Sequence, residues 1–360
     1  MLSLHISSYS TPSGYKLSEL PIPKIRGDTD VLIKVFAASI NPIDVKRAGG
    51  ALKPVVKDSF PYRIGYDAAG VVTEIGKNVS RLKVGVAVYV RLPEINRGSC
   101  SEYVTCSEEQ IGLKPPSMSF EEAASVPLAA MTALQALRKY GDLTGKTVFV
   151  PAGLSGTGLF ACQLAKHVFR ASKVICTVST SKIPQVKELL GEGTVDQKQV
   201  IDYTKSDPRD VIEKGSVDFL FDTVGLAMQY LCLMKPKSSR IVSVSTTPSA
   251  NVLQNSSLMR MAHNPTIPPY VRPALDIMDY IRKFRAGRYG AEYEYMILES
   301  SGKDLDELRG YVEDGRLRTV VGTIVEIQDL EAVQRACQVV YDGKGGLGKL
   351  VIRVARTESS

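Results

Sequence analysis

The chain has 360 residues, 44% of them hydrophobic and 23% charged, with a formal net charge of +7. This is the composition of a globular protein of one large or two ordinary domains, and it excludes a disordered chain. The basic residues form no block of the kind that marks a nucleic-acid arm. No apolar run approaches the roughly 20 residues of a spanning helix, so no integral membrane segment is expected.

The N-terminus, Met1-Leu2-Ser3-Leu4-His5, has neither a basic region with an apolar core nor an arginine-rich presequence. The first third reads as β-rich. Asp30 to Ala38, Tyr66 to Gly76 and Val84 to Arg91 predict strands, separated by turn signals such as Gly49-Gly50 and Gly76-Lys77-Asn78. Glycines inside the second strand point to a bend or bulge. The pattern is that of a small barrel or sandwich.

After Ser119 helices and strands alternate. Two helical stretches span residues 120–140, with Pro127 between them. A strand precedes the glycine-rich turn, and helix 159–169, strand 174–178 and a helix near 184–190 follow. Further strands end at Tyr203, Asp222 and Ser245. Such alternation predicts a doubly wound parallel sheet. Residues 247–290 begin with five prolines in an irregular connection. Leu275, Met278, Ile281 and Phe284 then recur at helical spacing, which predicts a helix packed on the sheet by that stripe or one facing a partner or membrane. A helix over 305–315, a strand over 320–327, a helix over 330–341 and a strand over 345–354 close the chain.

Chemistry concentrates at Thr147 to Gly158. An apolar β-branched run enters a glycine turn and a helix follows, the arrangement that lets backbone approach a pyrophosphate at a helix N-terminus. Gly153 and Gly158 fill the outer positions of a G-x-G-x-x-G fingerprint, while Ser155 takes the middle one and Gly156 stands beside it. A plain tight βα turn shares these features. The next strand ends in Ser179-Thr180-Ser181-Lys182, where a NAD-binding chain would carry a carboxylate. Three hydroxyls and an ammonium favour a 2′-phosphate, hence NADPH, although such residues also make ordinary loops. Six cysteines and three histidines form no C-x-x-C pair and no zinc-like cluster. Reduced cysteines and a cytoplasmic protein are expected.

Ala37-Ala38-Ser39-Ile40-Asn41-Pro42-Ile43-Asp44, Pro61 to Gly70, Ala152 to Gly158 with Gln163-Leu164-Ala165-Lys166, Asp222-Thr223-Val224-Gly225 and Gly348-Lys349 occur here in an order that resembles the medium-chain dehydrogenase/reductase superfamily. The resemblance is to its zinc-free quinone oxidoreductase-like branch, including fungal quinone reductases and trans-acting enoyl reductases. It implies an α/β protein with a GroES-like β-rich catalytic domain over 1–125, to which 300–360 return, and a Rossmann cofactor domain over 126–299. The site would lie between the two. Zinc-dependent relatives carry cysteine where Asn41 stands and Gly-His-Glu where Gly65-Tyr66-Asp67 stands, so no metal is expected here.

The resemblance further implies that Gly153, Ser155, Gly156, Thr157 and Gly158 hold a pyrophosphate. Ser179, Thr180, Ser181 and Lys182 would meet the 2′-phosphate, with Tyr203 beside the adenosine. Thr132 and Asn41 would lie near the nicotinamide. Lys349 would reach a phosphate or remain a solvated strand lysine. Asp44 would orient its neighbours, and Tyr66 or water would supply a proton. The implied activity is zinc-independent, NADPH-dependent reduction of quinones, enones or enoyl thioesters. A pathway-specific enoyl reductase and a non-catalytic NADPH-binding protein are the alternatives, and a homodimer is the family's usual assembly.

Overall fold

A computed structural model describes residues 1–344 and 347–356. The first third supplies eight strands: β1 (Leu2–Ile6), β2 (Lys16–Glu19), β3 (Asp30–Ile40), β4 (Tyr62–Arg63), β5 (Asp67–Ile75), β6 (Ala87–Arg91), β7 (Tyr103–Ser107) and β8 (Ile111–Leu113). Six more follow: β9 (Thr147–Val150), β10 (Lys173–Val178), β11 (Val200–Asp202), β12 (Phe219–Asp222), β13 (Ser239–Ser243) and β14 (Ala291–Tyr295). The tail adds β15 (Val321–Glu326) and β16 (Lys349–Arg353). The helices are α1 (Pro42–Ala48), α2 (Phe120–Ala124), α3 (Pro127–Tyr140), α4 (Gly156–His167), α5 (Val186–Leu190), α6 (Pro208–Val211), α7 (Ala250–Gln254), α8 (Arg272–Gly287), α9 (Gly302–Glu313) and α10 (Leu330–Tyr341).

Strand β3 is the spine of a seven-stranded sheet. It pairs antiparallel with β5, β7 and β16, and β15 runs parallel to β16. The β3–β5 register shifts between Val35 and Ala37, where Phe36 on β3 is the extra residue opposite Gly70, and again between Leu32 and Ile33, where Thr73 on β5 is the extra one. A Cβ on Gly70 would lie 2.0 Å from the Lys34 carbonyl oxygen, so only glycine permits this backbone approach. Residues 345 and 346, at the start of the last predicted strand, lie outside the described residues.

The second sheet is wholly parallel, in the order β11-β10-β9-β12-β13-β14. The inner strands β9, β10 and β12 are mostly apolar because both faces are covered, whereas edge strand β14 alternates Glu292 and Glu294 with buried Ala291 and Tyr293. Val148 and Val150 join the core beneath α3 and α4, while Phe149 joins the opposite core with Ile175, Leu220 and Ile241. Strand order reverses between β9 and β12, and in such sheets ligands settle beyond the strand C-termini at that point.

Two sequence expectations need correction in 247–290. The proline-rich half holds α7 and buries Leu253, Met259, Met261 and Ile267 in a cluster with Val56 and Leu275. Helix α8 does not pack by its apolar stripe. Leu275, Asp279 and Ala286 are buried with Arg282 half-buried, whereas Met278, Ile281 and Phe284 are exposed. At 100° per residue a spacing of three drifts about 60° per step, so Leu275 and Phe284 lie on opposite sides of the helix and cannot both face the core.

Candidate active site

The glycine turn joins β9 to α4 at the point of reversal. Two bonds pin it to β10: Ala152 N–H donates to Thr177 Oγ1 at 2.9 Å, and Gly153 N–H to the Thr177 carbonyl at 3.0 Å. Ser155, the odd residue in the fingerprint, caps α4 by accepting from Gly158 N–H at 3.1 Å. Each glycine answers a close approach. A Cβ on Gly153 would lie 2.5 Å from Cys176 Cβ, and one on Gly158 would lie 2.3 Å from the Ala152 carbonyl oxygen. The turn therefore aims the N-terminal N–H groups of α4 past the sheet edge, as an anion site requires. Thr223 Oγ1 donates to the Pro151 carbonyl at 2.9 Å, and Asp222 Oδ1 accepts from Gly225 and Leu226 N–H, so the β12 loop is held against the same turn.

At the ends of β10 and β11 the structure brings Ser179, Thr180, Ser181 and Lys182 beside Tyr203, whose N–H donates to the Val178 carbonyl at 3.2 Å. It also brings a carboxylate. Parallel pairing sets Asp202 opposite Val178, and Asp202 accepts from Thr180 Oγ1 at 2.6 Å and Thr204 Oγ1 at 2.7 Å. Sequence spacing showed no acid at this position, because Asp202 arrives on the neighbouring strand. The Thr180 and Thr204 hydroxyl donors hold its carboxyl below the usual range, and Lys205 lies 3.9 Å away.

Across the turn lies a buried polar cluster. Asn41 Nδ2 donates to Asp67 Oδ2 at 2.9 Å, and Asn41 N–H to Asp44 Oδ2 at 2.6 Å. Ser39 Oγ donates to Asp67 at 3.1 Å, and Leu128 N–H, in the first turn of α3, donates to its other oxygen at 3.0 Å. Thr132, one turn further along α3, donates to the Leu128 carbonyl at 2.6 Å. Lys349 closes the cluster from β16. Its ammonium donates to Asn41 Oδ1 and to the Ile40 carbonyl, and its stem crosses Gly156, where a Cβ would lie 2.9 Å from Lys349 Cδ. Lys349 is 6% exposed, so it is not a solvated strand lysine. In the structure its ammonium bonds Asn41, and only its stem meets the glycine turn.

Burial drives the titration here. Desolvation raises Asp44 to about 7, opposed by the Asn41 N–H and reinforced by Asp67. Burial likewise raises Asp67 and lowers Lys349, while their mutual attraction opposes both shifts. Asp67 stands in a motif the sequence displayed without marking its role. The cluster does not suit a divalent ion. An ammonium already bonds Asn41, and among the described residues no group of three His, Cys, Asp or Glu side chains could hold one.

Tyr66, one of the two proton sources expected, has its hydroxyl engaged inside the protein. It is fully buried; its hydroxyl donates to Glu94 Oε2 at 2.8 Å and accepts from Arg47 Nη1 at 3.2 Å. Arg47, itself fully buried, also binds Asp58 and Glu94, while Arg91 stacks over the Tyr66 ring at 4.7 Å. Desolvation first, then Glu94, holds the phenol well above its usual range. The hydroxyl therefore belongs to an internal ion network rather than to an open cleft.

With this geometry in place, comparisons with known proteins agree in one direction. Residues 27–135 match the alcohol dehydrogenase GroES-like domain, and residues 195–352 match the zinc-binding dehydrogenase model. A tomato 2-methylene-furan-3-one reductase is 39% identical over 231 residues, 62% of this chain and 57% of the relative. The aligned part thus spans less than two thirds of that plant protein. The bovine mitochondrial NAD(P)H oxidoreductase RTN4IP1 is 30% identical over 320 residues, 83% of this chain and 76% of the relative. A quinone oxidoreductase from Coxiella burnetii superimposes with a TM-score of 0.77 at 28% identity, covering 98% of this chain and 99% of that one.

Proposed function

The chain belongs to the medium-chain dehydrogenase/reductase superfamily, and we propose that it is an NADPH-dependent, zinc-independent reductase of quinones and electron-poor enone or enoyl double bonds. The observation that carries this reading is Lys349, whose stem lies on the first residue of α4 and whose ammonium holds Asn41. A fixed cation thus stands at the junction of the dinucleotide turn and the polar cluster, where zinc-dependent relatives would need a metal. A bound NADPH supplies the hydride.

The chain's own residues bind and orient. Gly153, Ser155, Gly156, Thr157 and Gly158 present the α4 N-terminus to the pyrophosphate. Ser179, Ser181 and Lys182 meet the 2′-phosphate, with Tyr203 beside the adenosine, and the two threonine hydroxyls on Asp202 temper its charge. Lys349 offsets negative charge on the phosphate and on the substrate oxygen as reduction proceeds. An ammonium has three N–H donors, and Asn41 and Ile40 engage two of them. Asn41 and Thr132 flank the nicotinamide end, and Asp44 and Asp67 fix Asn41. Tyr66 is unavailable, so water protonates the product. The six free cysteines suit a reducing compartment such as the cytosol.

The test follows NADPH oxidation against quinones, alkenals and acyl thioesters, with and without a chelator. Turnover of a quinone or alkenal that survives chelation is expected. Binding of NADPH without turnover of any substrate, or a requirement for added zinc, overturns the proposal.

A further inference from the structure

A second cationic feature lies apart from the glycine turn and the polar cluster. A groove of about 420 Å³ runs between α6, residues 228–232 and the C-terminal end of α8. Arg209, Arg285 and Arg288 line it with Gln229, Cys232 and Tyr289, and no Asp or Glu does. Leu231 and Ala286 beside it belong to the core that holds Phe149, Leu220 and Ile241, whereas α4 packs on the other face of the sheet. Arg285 and Arg288 stand three residues apart, where like charges repel, and the negative end of the α8 dipole offsets part of that cost. The dipole does not account for Arg209, which reaches the groove from α6. Arg209 Nε lies 2.9 Å from both Asp207 carboxylate oxygens and Nη2 bonds Oδ2, which leaves Nη1 without a partner among the described residues. Arg285 Nη2 donates to the Met228 carbonyl at 3.3 Å. Arg288 makes no side-chain hydrogen bond or ion pair with any described residue.

We propose that this groove binds a small organic phosphate, held by Arg209, Arg285 and Arg288. A guanidinium presents its donors as a planar fork that matches phosphate oxygens, and charge on both partners strengthens each bond. Two of the forks are already set, one by Asp207 and one by the Met228 carbonyl, so binding costs little of their rotamer freedom. A phosphate dianion would also relieve the repulsion among three cations that share one lining without an acid. The volume suits a ligand the size of a nucleotide or a sugar phosphate. Met228, Leu231 and the Tyr289 ring give such a body apolar contact, and Gln229 gives an amide. A long nucleic-acid strand fits less well, because Asp207 and Asp210 stand on either side of Arg209 and would repel its further phosphates. The proposal is independent of the reaction assigned above.

Cys232 supplies the readout. It lines the groove and is half-buried, whereas the other five cysteines are buried, so neutral N-ethylmaleimide should label it first. Adenosine monophosphate or glucose 6-phosphate should slow that labelling severalfold in the full chain, both without NADPH and with NADPH in saturating excess. Calorimetric titration of the same phosphates gives the affinity. Arg288 has no bond to lose, so Arg288→Ala should keep the wild-type melting temperature and weaken the phosphate about tenfold, the share of one charge-assisted bond. Arg285→Ala, Arg288→Ala together should abolish the protection. Four results overturn the proposal: no protection by either phosphate, equal protection by sodium chloride at the same ionic strength, protection that disappears once NADPH is bound, and full protection in Arg288→Ala. Protection by an oligothymidylate alone falls under the first of these and would assign the groove to nucleic acid.

Discussion

Gly158→Ala puts the dinucleotide turn to a test in which two known effects oppose each other. Within a helix, glycine to alanine ordinarily gains up to about 1 kcal/mol. At Gly158 the new Cβ would stand 2.3 Å from the Ala152 carbonyl oxygen and 2.9 Å from Ser155 Oγ. Backbone oxygen cannot rotate away, so the start of α4 must retreat by roughly 1 Å, a strain of ~1–3 kcal/mol. The retreat also lengthens the Gly158 N–H to Ser155 cap, worth ~1 kcal/mol. Strain outweighs propensity, for a net loss of about 1–3 kcal/mol and, in a chain of 360 residues, a melting temperature lower by about 1–4 °C. A turn displaced on that scale forfeits one charge-assisted bond to phosphate, so NADPH should bind at least tenfold more weakly. Calorimetry of the free protein and fluorescence titration with NADPH read both effects. Gly310→Ala in α9 is the control: no atom lies within 4 Å of its Cβ position, and it should be neutral or stabilising. If Gly158→Ala melts no lower than wild type and binds NADPH as tightly, the turn is not a phosphate cradle.

Lys182→Ala should weaken NADPH about tenfold while leaving NADH nearly unchanged, since only the former carries a 2′-phosphate; equal loss in paired titrations counts against the assignment. Tyr66→Phe should lower the melting temperature through the lost bond to buried Glu94, a cost of ~1.5–3 kcal/mol, yet retain turnover with an enone. A large fall in kcat at unchanged stability would restore Tyr66 as proton donor. Asp44 makes a pH prediction. Its folded value of about 7 lies above its ordinary 3.8, so between these limits the folded state holds a proton that the unfolded state releases. Its contribution is present at low pH and is lost as pH rises through about 7. Asp44→Asn cannot ionise, so its stability relative to wild type should improve by a few kcal/mol at most between pH 4 and 8. A difference that stays flat across that range would show that Asp44 keeps an ordinary titration.

The sequence alone determined what depends on neighbours along the chain. The run from Thr147 to Gly158 specified a strand, a turn and a helix, because apolar alternation and the glycines act within a few residues of one another. The change from β-rich pattern to helix–strand alternation after Ser119 announced a parallel sheet for the same reason. Tertiary structure decided what depends on chain reversal. Asp202 reaches Thr180 only because β10 and β11 pair in parallel. Lys349 meets Asn41 from 308 residues away because β16 returns to β3. Tyr66 became an internal residue because Arg47, Asp58 and Glu94, distant in sequence, converge around it. Helix α8 shows the division most plainly. The apolar spacing announced a helix there, but Leu275 of the expected stripe is buried while Met278, Ile281 and Phe284 are exposed, and Asp276 and Arg282, bonded to the backbone of 247–250, fixed which side turns inward. Spacing along the chain announces a helix, and only packing decides which of its residues turn inward.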